Sequence, residues 1–117
     1  MDTILNVIKE LLEVDIEESI FDNQLLIYLN GGIAYLKNNK VPITRVSIDS
    51  TTQEWLDNGL IEGDEDIVIQ WLHLYALQRF DRSLMNISSS TTQEWIDNEL
   101  SNLIHQLKVR YDNEVIV

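Results

Sequence analysis

Residues 21–38 carry an apolar stripe at helical spacing that includes one of two adjacent glycines, Gly31 and Gly32. Apolar positions recur every three or four residues, which predicts an amphipathic helix with one buried face. Each glycine inside a helix costs roughly 0.5–1 kcal/mol relative to alanine. Close approach of a neighbouring backbone usually offsets that cost, so we expect Gly32 to lie at a close helix–helix crossing, within the fold or between subunits. The stripe contains Phe21, Leu25, Tyr28, Leu29, Gly32, Ile33 and Leu36.

The rest of the chain also has helical patterning. A first helix ends near Glu13, and a short helix is stopped by Gly59. Residues 64–85 form a helix that is apolar on nearly every side, which is typical of a helix that is central or that is shared between a core and a partner. A last helix covers residues 90–111, and residues 38–50 are expected to form a loop or a short strand pair. The chain is therefore predicted to be all-α, a small bundle of four main helices plus one short helix. The residues expected in its core are Leu25, Leu29, Ile33, Trp71, Leu72, Tyr75, Leu100, Ile104 and Leu107.

An eleven-residue segment occurs twice, at 50–60 and at 90–100, with nine of its eleven positions identical. Each copy contains a threonine followed three residues later by a glutamate, which is the pattern of a capping box at a helix start. Both copies are therefore predicted to begin helices. The two capping pairs are Thr51 with Glu54 and Thr91 with Glu94.

The repeated segment also contains a tryptophan in each copy, Trp55 and Trp95. Tryptophan is enriched at the energetic centres of protein interfaces, so these side chains could be equivalent contacts for a partner. The alternative is that they pack inside the subunit. The predicted subunit or partner interface consists of Gly31, Gly32, Trp55 and Leu56.

The formal net charge is −12, from 20 acidic and 8 basic residues. Proteins that bind nucleic acid do so through Lys and Arg on the phosphates, so this balance disfavours DNA binding. An acidic surface could instead repel DNA in a channel, imitate DNA, or keep the protein soluble. No stretch approaches the ~20 apolar residues of a membrane span, so we expect no membrane contact.

Catalytic motifs are not recognisable in the sequence. Cysteine is absent, which excludes disulfides and thiolate metal sites, and His73 and His105 are on different predicted helices. The acidic cluster at 62–66 lacks the spacing of a calcium loop and precedes a helix, where the macrodipole favours negative charge. We therefore expect no enzymatic activity, no metal and no cofactor.

The last five residues end in Val115-Ile116-Val117, which are apolar and β-branched and therefore favour an extended conformation. We expect a helical domain over residues 1–112 and an extended tail over 113–117, because one strand cannot form its own sheet. Such a tail can bind a partner by adding a strand to an exposed sheet edge. The alternative is that it folds back on the helices of its own subunit or frays. The predicted binding tail is Asn113, Glu114, Val115, Ile116 and Val117.

The order of these segments resembles that of the bacteriophage head-tail connector proteins. The resemblance rests on a short first helix, an acidic connector ending in Phe21-Asp22, the helix that contains Leu-Leu-Ile-Tyr-Leu-Asn-Gly-Gly-Ile-Ala-Tyr-Leu, a loop, a long apolar helix ending Arg79-Phe80-Asp81 and a final helix. It covers about residues 1–110. The repeat at 90–100 is not part of the family pattern.

That resemblance implies a non-enzymatic adaptor at the head–tail interface of a virion, assembled in the host cytoplasm. Its partners would be the portal protein, a stopper or tail-completion protein, and other copies of itself in a ring that is dodecameric when assembled and whose subunits can be monomeric alone. DNA would pass through the ring without specific binding. The alternative of a different class is a small acidic helical regulator, antitoxin-like or DNA-mimicking, that binds a basic partner.

Overall fold

The computed structural model describes residues 3–84 and 90–111, with side chains for residues 3–79 and 94–111. Over this part of the chain the fold is all-α and contains no strand, as predicted, and residues 39–51 form a loop rather than a strand pair. The predicted tail, 113–117, lies outside the described residues. The helices are α1 (Ile4–Leu11), α2 (Asp22–Asn38), α3 (Thr52–Asp57), α4 (Asp64–Leu84) and α5 (Ser90–Tyr111).

Helix α4 is the centre of the bundle. It packs most extensively against α5 and α2, and it also contacts α1 and α3. Val68, Leu72 and Ala76 on α4 have no exposed surface. The apolar character on nearly every side of this helix is therefore explained by neighbours on several sides.

Most of the predicted core is confirmed, and the difference lies on α5. Leu107 is buried there, but Leu100 and Ile104 are half-buried, whereas Ile96 and Leu103 are buried instead. Helix α5 packs mainly against α4, so one flank of its apolar stripe remains partly exposed to solvent. The predicted core residues that are buried on α2 and α4 are Leu25, Leu29, Ile33, Trp71 and Leu72, with Tyr75 half-buried.

The predicted close crossing at Gly32 is confirmed, and it lies within the fold, between α2 and α4. A Cβ atom added at Gly32 would lie 3.0 Å from Cδ2 of Leu72 and 3.0 Å from Cζ3 of Trp71. Contacts this short leave no room for a methyl group unless the neighbouring side chains move. The helix propensity lost at Gly32 is thus offset by tighter packing of the two helices.

Helix α3 begins and ends as its sequence predicts. Thr51 and Glu54 form the capping box, in which the Thr51 amide donates to the Glu54 carboxylate at 3.2 Å. Gly59 follows the helix with a φ of +111°, a conformation that side chains with a Cβ rarely adopt. This short element is therefore defined by local interactions at both ends.

Candidate interaction surfaces

The residues predicted to form an interface do not lie together on one exposed surface. Gly32 is buried at the α2–α4 crossing, Gly31 is exposed beside the Tyr75 hydroxyl, and Leu56 is half-buried. Trp55 has no exposed surface, and its Nε1 donates to the Thr44 carbonyl at 3.2 Å. Trp55 is thus a core residue that joins α3 to the preceding loop, and it offers no surface to a partner in this structure.

The second tryptophan of the repeat has the opposite environment. Trp95 is 57% exposed on α5, whereas Trp55 is completely buried. The two copies both lie at the start of helices, but α5 already begins at Ser90, one residue before the expected cap Thr91. Thr91's side chain lies outside the described part of the chain. Nearly identical local sequence therefore produces two helices with different tertiary surroundings.

The connector between α1 and α2 is organised by a buried lysine that the sequence analysis did not identify. Lys9 is 1% exposed. Its Nζ donates to the carbonyls of Ile16 (2.9 Å) and Glu18 (2.6 Å) and to Oδ1 of Asp22 (2.8 Å), which satisfies all three of its donors. The one signal in the sequence is position, since Lys9 lies four residues after the buried Leu5 on the apolar face of α1.

We call residues 13–20 the acidic connector. It exposes Ile16 (41%) and Ile20 (73%) among four carboxylates. Two of these carboxylates stabilise its turns, because Asp15 Oδ1 accepts from the Glu17 amide at 3.0 Å and Glu18 Oε1 accepts from the Ile20 amide at 3.1 Å. The connector is therefore an ordered acidic surface with two exposed isoleucines.

A groove between α2 and the loop 39–51 has the opposite charge. Asn30 holds the loop against α2, since its Nδ2 donates to the Val46 carbonyl at 2.9 Å and its Oδ1 accepts from the Val46 amide at 2.7 Å. The resulting groove has a volume of about 950 Å³, and the charged residues that line it are Lys37 and Arg45. We call it the basic groove; its exposed apolar residues include Ile27 (70%) and Ile48 (52%).

A second, smaller cavity of about 310 Å³ lies where α2, α4 and α5 meet. Three aromatic rings stack along it: Tyr35 on Trp71 with centroids 5.7 Å apart, and Trp71 on Tyr75 at 5.0 Å. The Arg79 guanidinium lies 3.6 Å from the centre of the Tyr75 ring, which is cation–π geometry. This stack orders the side chains at the α2–α4 crossing. Trp71 Nε1 is buried, and within the described residues it has no hydrogen-bond partner.

The last turn of α5 is joined to the start of α4. The Tyr111 hydroxyl donates to Oδ2 of Asp64 at 2.7 Å and accepts from the Ile61 amide at 2.9 Å, and Arg110 Nη1 lies 3.4 Å from Asp64 Oδ1. Burial and the hydrogen bond to Asp64 raise the pKa of Tyr111 to about 12. The predicted tail would therefore follow a helix end whose position is set by three polar contacts.

Metal-binding clusters and membrane-spanning helices are absent from the part of the chain that the structure covers. No three His, Cys, Asp or Glu side chains come together there in a group that could hold a metal ion. None of the helices, over the residues described, is long and apolar enough to cross a membrane.

Comparison with known families then decides the class of the protein. Residues 4–114 match the family described as phage connector protein, a range that includes all five helices. The chain belongs to the phage connector protein family. This is a structural, non-enzymatic family, and membership supports a phage connector role and association with the virion. No curated protein and no solved structure matches the chain.

Proposed function

We propose that this phage connector protein is a head–tail adaptor. Copies of it form a ring below the portal protein, extend the DNA channel, and provide the platform for a stopper or tail-completion protein. The observation that carries the proposal is the family match over residues 4–114, because it includes the whole helical bundle. Family membership also favours this role over that of an acidic regulator.

The charge of the chain is consistent with a channel that lets DNA pass. A lumen that held phosphates through Lys and Arg would slow the DNA, and each subunit carries a net charge of −12. We expect no retention of the protein on a DNA column at about 50 mM salt, where phosphate-binding proteins are held most tightly. Tight retention that decreases with salt would contradict the channel proposal.

In this proposal, residues 113–117 bind the portal by strand addition. Support comes from their β-prone sequence and from the contacts of Tyr111, which set where α5 ends before the tail begins. Gly31 and Leu56, which are not fully buried, remain proposed contacts between subunits or with a partner.

The test is co-purification with the portal ring of the same phage. Deleting residues 113–117 should abolish co-purification while leaving the helical content and the melting temperature nearly unchanged. Val109→Ser is the matched control, because Val109 is an exposed apolar residue (66%) near the end of α5 but outside the tail. Portal binding by the truncated protein at the level of the Val109→Ser variant would refute the role of the tail.

A further inference from the structure

The charges of this protein are distributed unevenly between two ordered surfaces. The basic groove is lined by Lys37 and Arg45 and by no carboxylate, although the chain has 20 acidic residues. The acidic connector carries four carboxylates and no basic residue between positions 13 and 20. Both surfaces expose two isoleucines. They are therefore complementary in charge and alike in apolar character.

This complementarity matters because copies of a protein with a net charge of −12 repel one another. Association then requires a local surface where attraction exceeds the general repulsion. Within the described residues, Lys37 and Arg45 form no ion pair inside the subunit, so their charges are available to a partner. An acidic surface of another copy meets that requirement.

We propose that the basic groove binds the acidic connector of a second copy of this chain. Ile16 and Ile20 of one copy lie against Ile27 and Ile48 of the next. Glu17, which is next to Ile16 in sequence and whose carboxylate is not used in the hydrogen bonds that Asp15 and Glu18 accept within the connector, lies opposite the cations. In that arrangement the two subunits use different surfaces, so the contact is head-to-tail.

Both surfaces are ordered before contact. Lys9 fixes the backbone of the connector from below, and Asn30 fixes the loop that forms one wall of the groove. Binding between ordered surfaces loses less conformational entropy than binding that orders a loop. A head-to-tail contact repeated around an axis forms a ring when its rotation closes and a filament when it does not. Closure into a ring is the one step that rests on the proposed adaptor function.

The test uses covalent trapping, because an oxidised thiol pair records a contact between copies even when that contact is transient. The chain has no cysteine, which makes introduced thiols unique. Ile20→Cys and Ile48→Cys proteins are mixed in equal amounts at high concentration and oxidised, both free and in the presence of the portal ring. We expect a disulfide-linked dimer containing one copy of each variant.

Two comparisons make the result specific. A mixture of Ile20→Cys with Val109→Cys, a similarly exposed position on α5, should give roughly tenfold less of the mixed dimer. The double variant Ile20→Cys/Ile48→Cys should give a ladder of linked oligomers if the contact is head-to-tail. Mixed dimer at the level of the Val109→Cys control in both conditions would overturn the proposal, and so would products of the double variant that stop at dimers.

Charge reversal tests the ion pairs separately. Arg45→Glu in the Ile48→Cys protein should reduce mixed-dimer formation with Ile20→Cys roughly tenfold, and Glu17→Lys in the Ile20→Cys protein should restore much of it. No effect of Arg45→Glu would overturn the assignment of the groove. Portal co-purification tests the adaptor function independently of the cross-link. If the cross-link fails but portal binding is retained, only the groove contact is rejected. If the cross-link forms but portal binding is lost, only the adaptor function is rejected.

Discussion

Replacing Gly32 by alanine tests the packing at the α2–α4 crossing. The added Cβ would lie 3.0 Å from Leu72 and Trp71 and 3.1 Å from Cδ1 of Tyr75. Leu72 can change rotamer, but the rings of Trp71 and Tyr75 are stacked on each other and cannot both move without disturbing the stack. Relief of the contact therefore requires a shift of the packed Trp71 and Tyr75 rings or a small separation of the two helices.

The magnitude follows from two opposing effects. Alanine gains about 1 kcal/mol of helix propensity over glycine, whereas overpacking a core costs typically 1–3 kcal/mol. Gly32→Ala should therefore lower the free energy of unfolding by about 1 kcal/mol, which corresponds to a melting temperature lower by about 4 °C in a domain of this size. Gly31→Ala is the matched control: its Cβ would meet only the Tyr75 side chain, with the hydroxyl oxygen at 3.3 Å, and Gly31 is exposed.

The assay is urea denaturation of both variants and the parent protein, with unfolding monitored by circular dichroism. Gly31→Ala should be unchanged or more stable by up to about 1 kcal/mol, because the far end of a tyrosine side chain can shift at little cost. If Gly32→Ala proved as stabilising as Gly31→Ala, the crossing would have room for a methyl group and the packing argument would be wrong.

Further variants test other parts of the fold. Lys9→Met should lower the free energy of unfolding by about 3 kcal/mol, because it leaves Asp22 without its ion pair. The double variant Lys9→Met/Asp22→Asn should lose less stability than Lys9→Met, and equal losses in urea denaturation would contradict this coupling. Leu72→Ala should lower the free energy of unfolding by about 2–5 kcal/mol, because Leu72 has no exposed surface. Ile104→Ala should lower it clearly less, because Ile104 is half-buried. A lower melting temperature for Ile104→Ala than for Leu72→Ala would contradict these burial assignments. Because the folded state raises the pKa of Tyr111 from 10.0 to about 12, the stability this shift contributes is complete below pH 10 and is lost as the pH rises towards 12. Tyr111→Phe should therefore lose less stability than the parent over that range, and identical pH profiles by thermal denaturation would argue against the partly buried hydrogen bond between Tyr111 and Asp64.

Local sequence patterns were sufficient to predict the helices. Apolar spacing, a capping threonine and the glycine at position 59 act within a few residues of one another, so α3 and its boundaries follow from the chain alone. The Gly32 crossing was also predictable, because a glycine on the buried stripe of a helix is unfavourable unless a neighbour occupies the space. The pattern did not show whether that neighbour belongs to the same subunit. In the structure the neighbour is α4 of the same subunit.

The environments of the two nearly identical segments depended on tertiary structure. Trp55 and Trp95 have nearly the same flanking residues, yet one is fully buried and the other is 57% exposed. Burial is set by which elements pack against a helix, and those elements are distant in sequence. The half-buried flank of α5 has the same cause, since an apolar stripe shows which face can be buried but not how much of it a neighbour covers.

The sequence by itself determined an acidic, all-α chain of five helices with a close crossing at Gly32. Only the tertiary structure revealed the polar contacts that shape its surfaces: Lys9 beneath the acidic connector, Asn30 against the loop at Val46, and Tyr111 at Asp64. These pairs join residues 7 to 47 positions apart. Helical periodicity shows which residues share a face of one element, but hydrogen bonds of this range depend on the positions of two elements in space, which only packing sets.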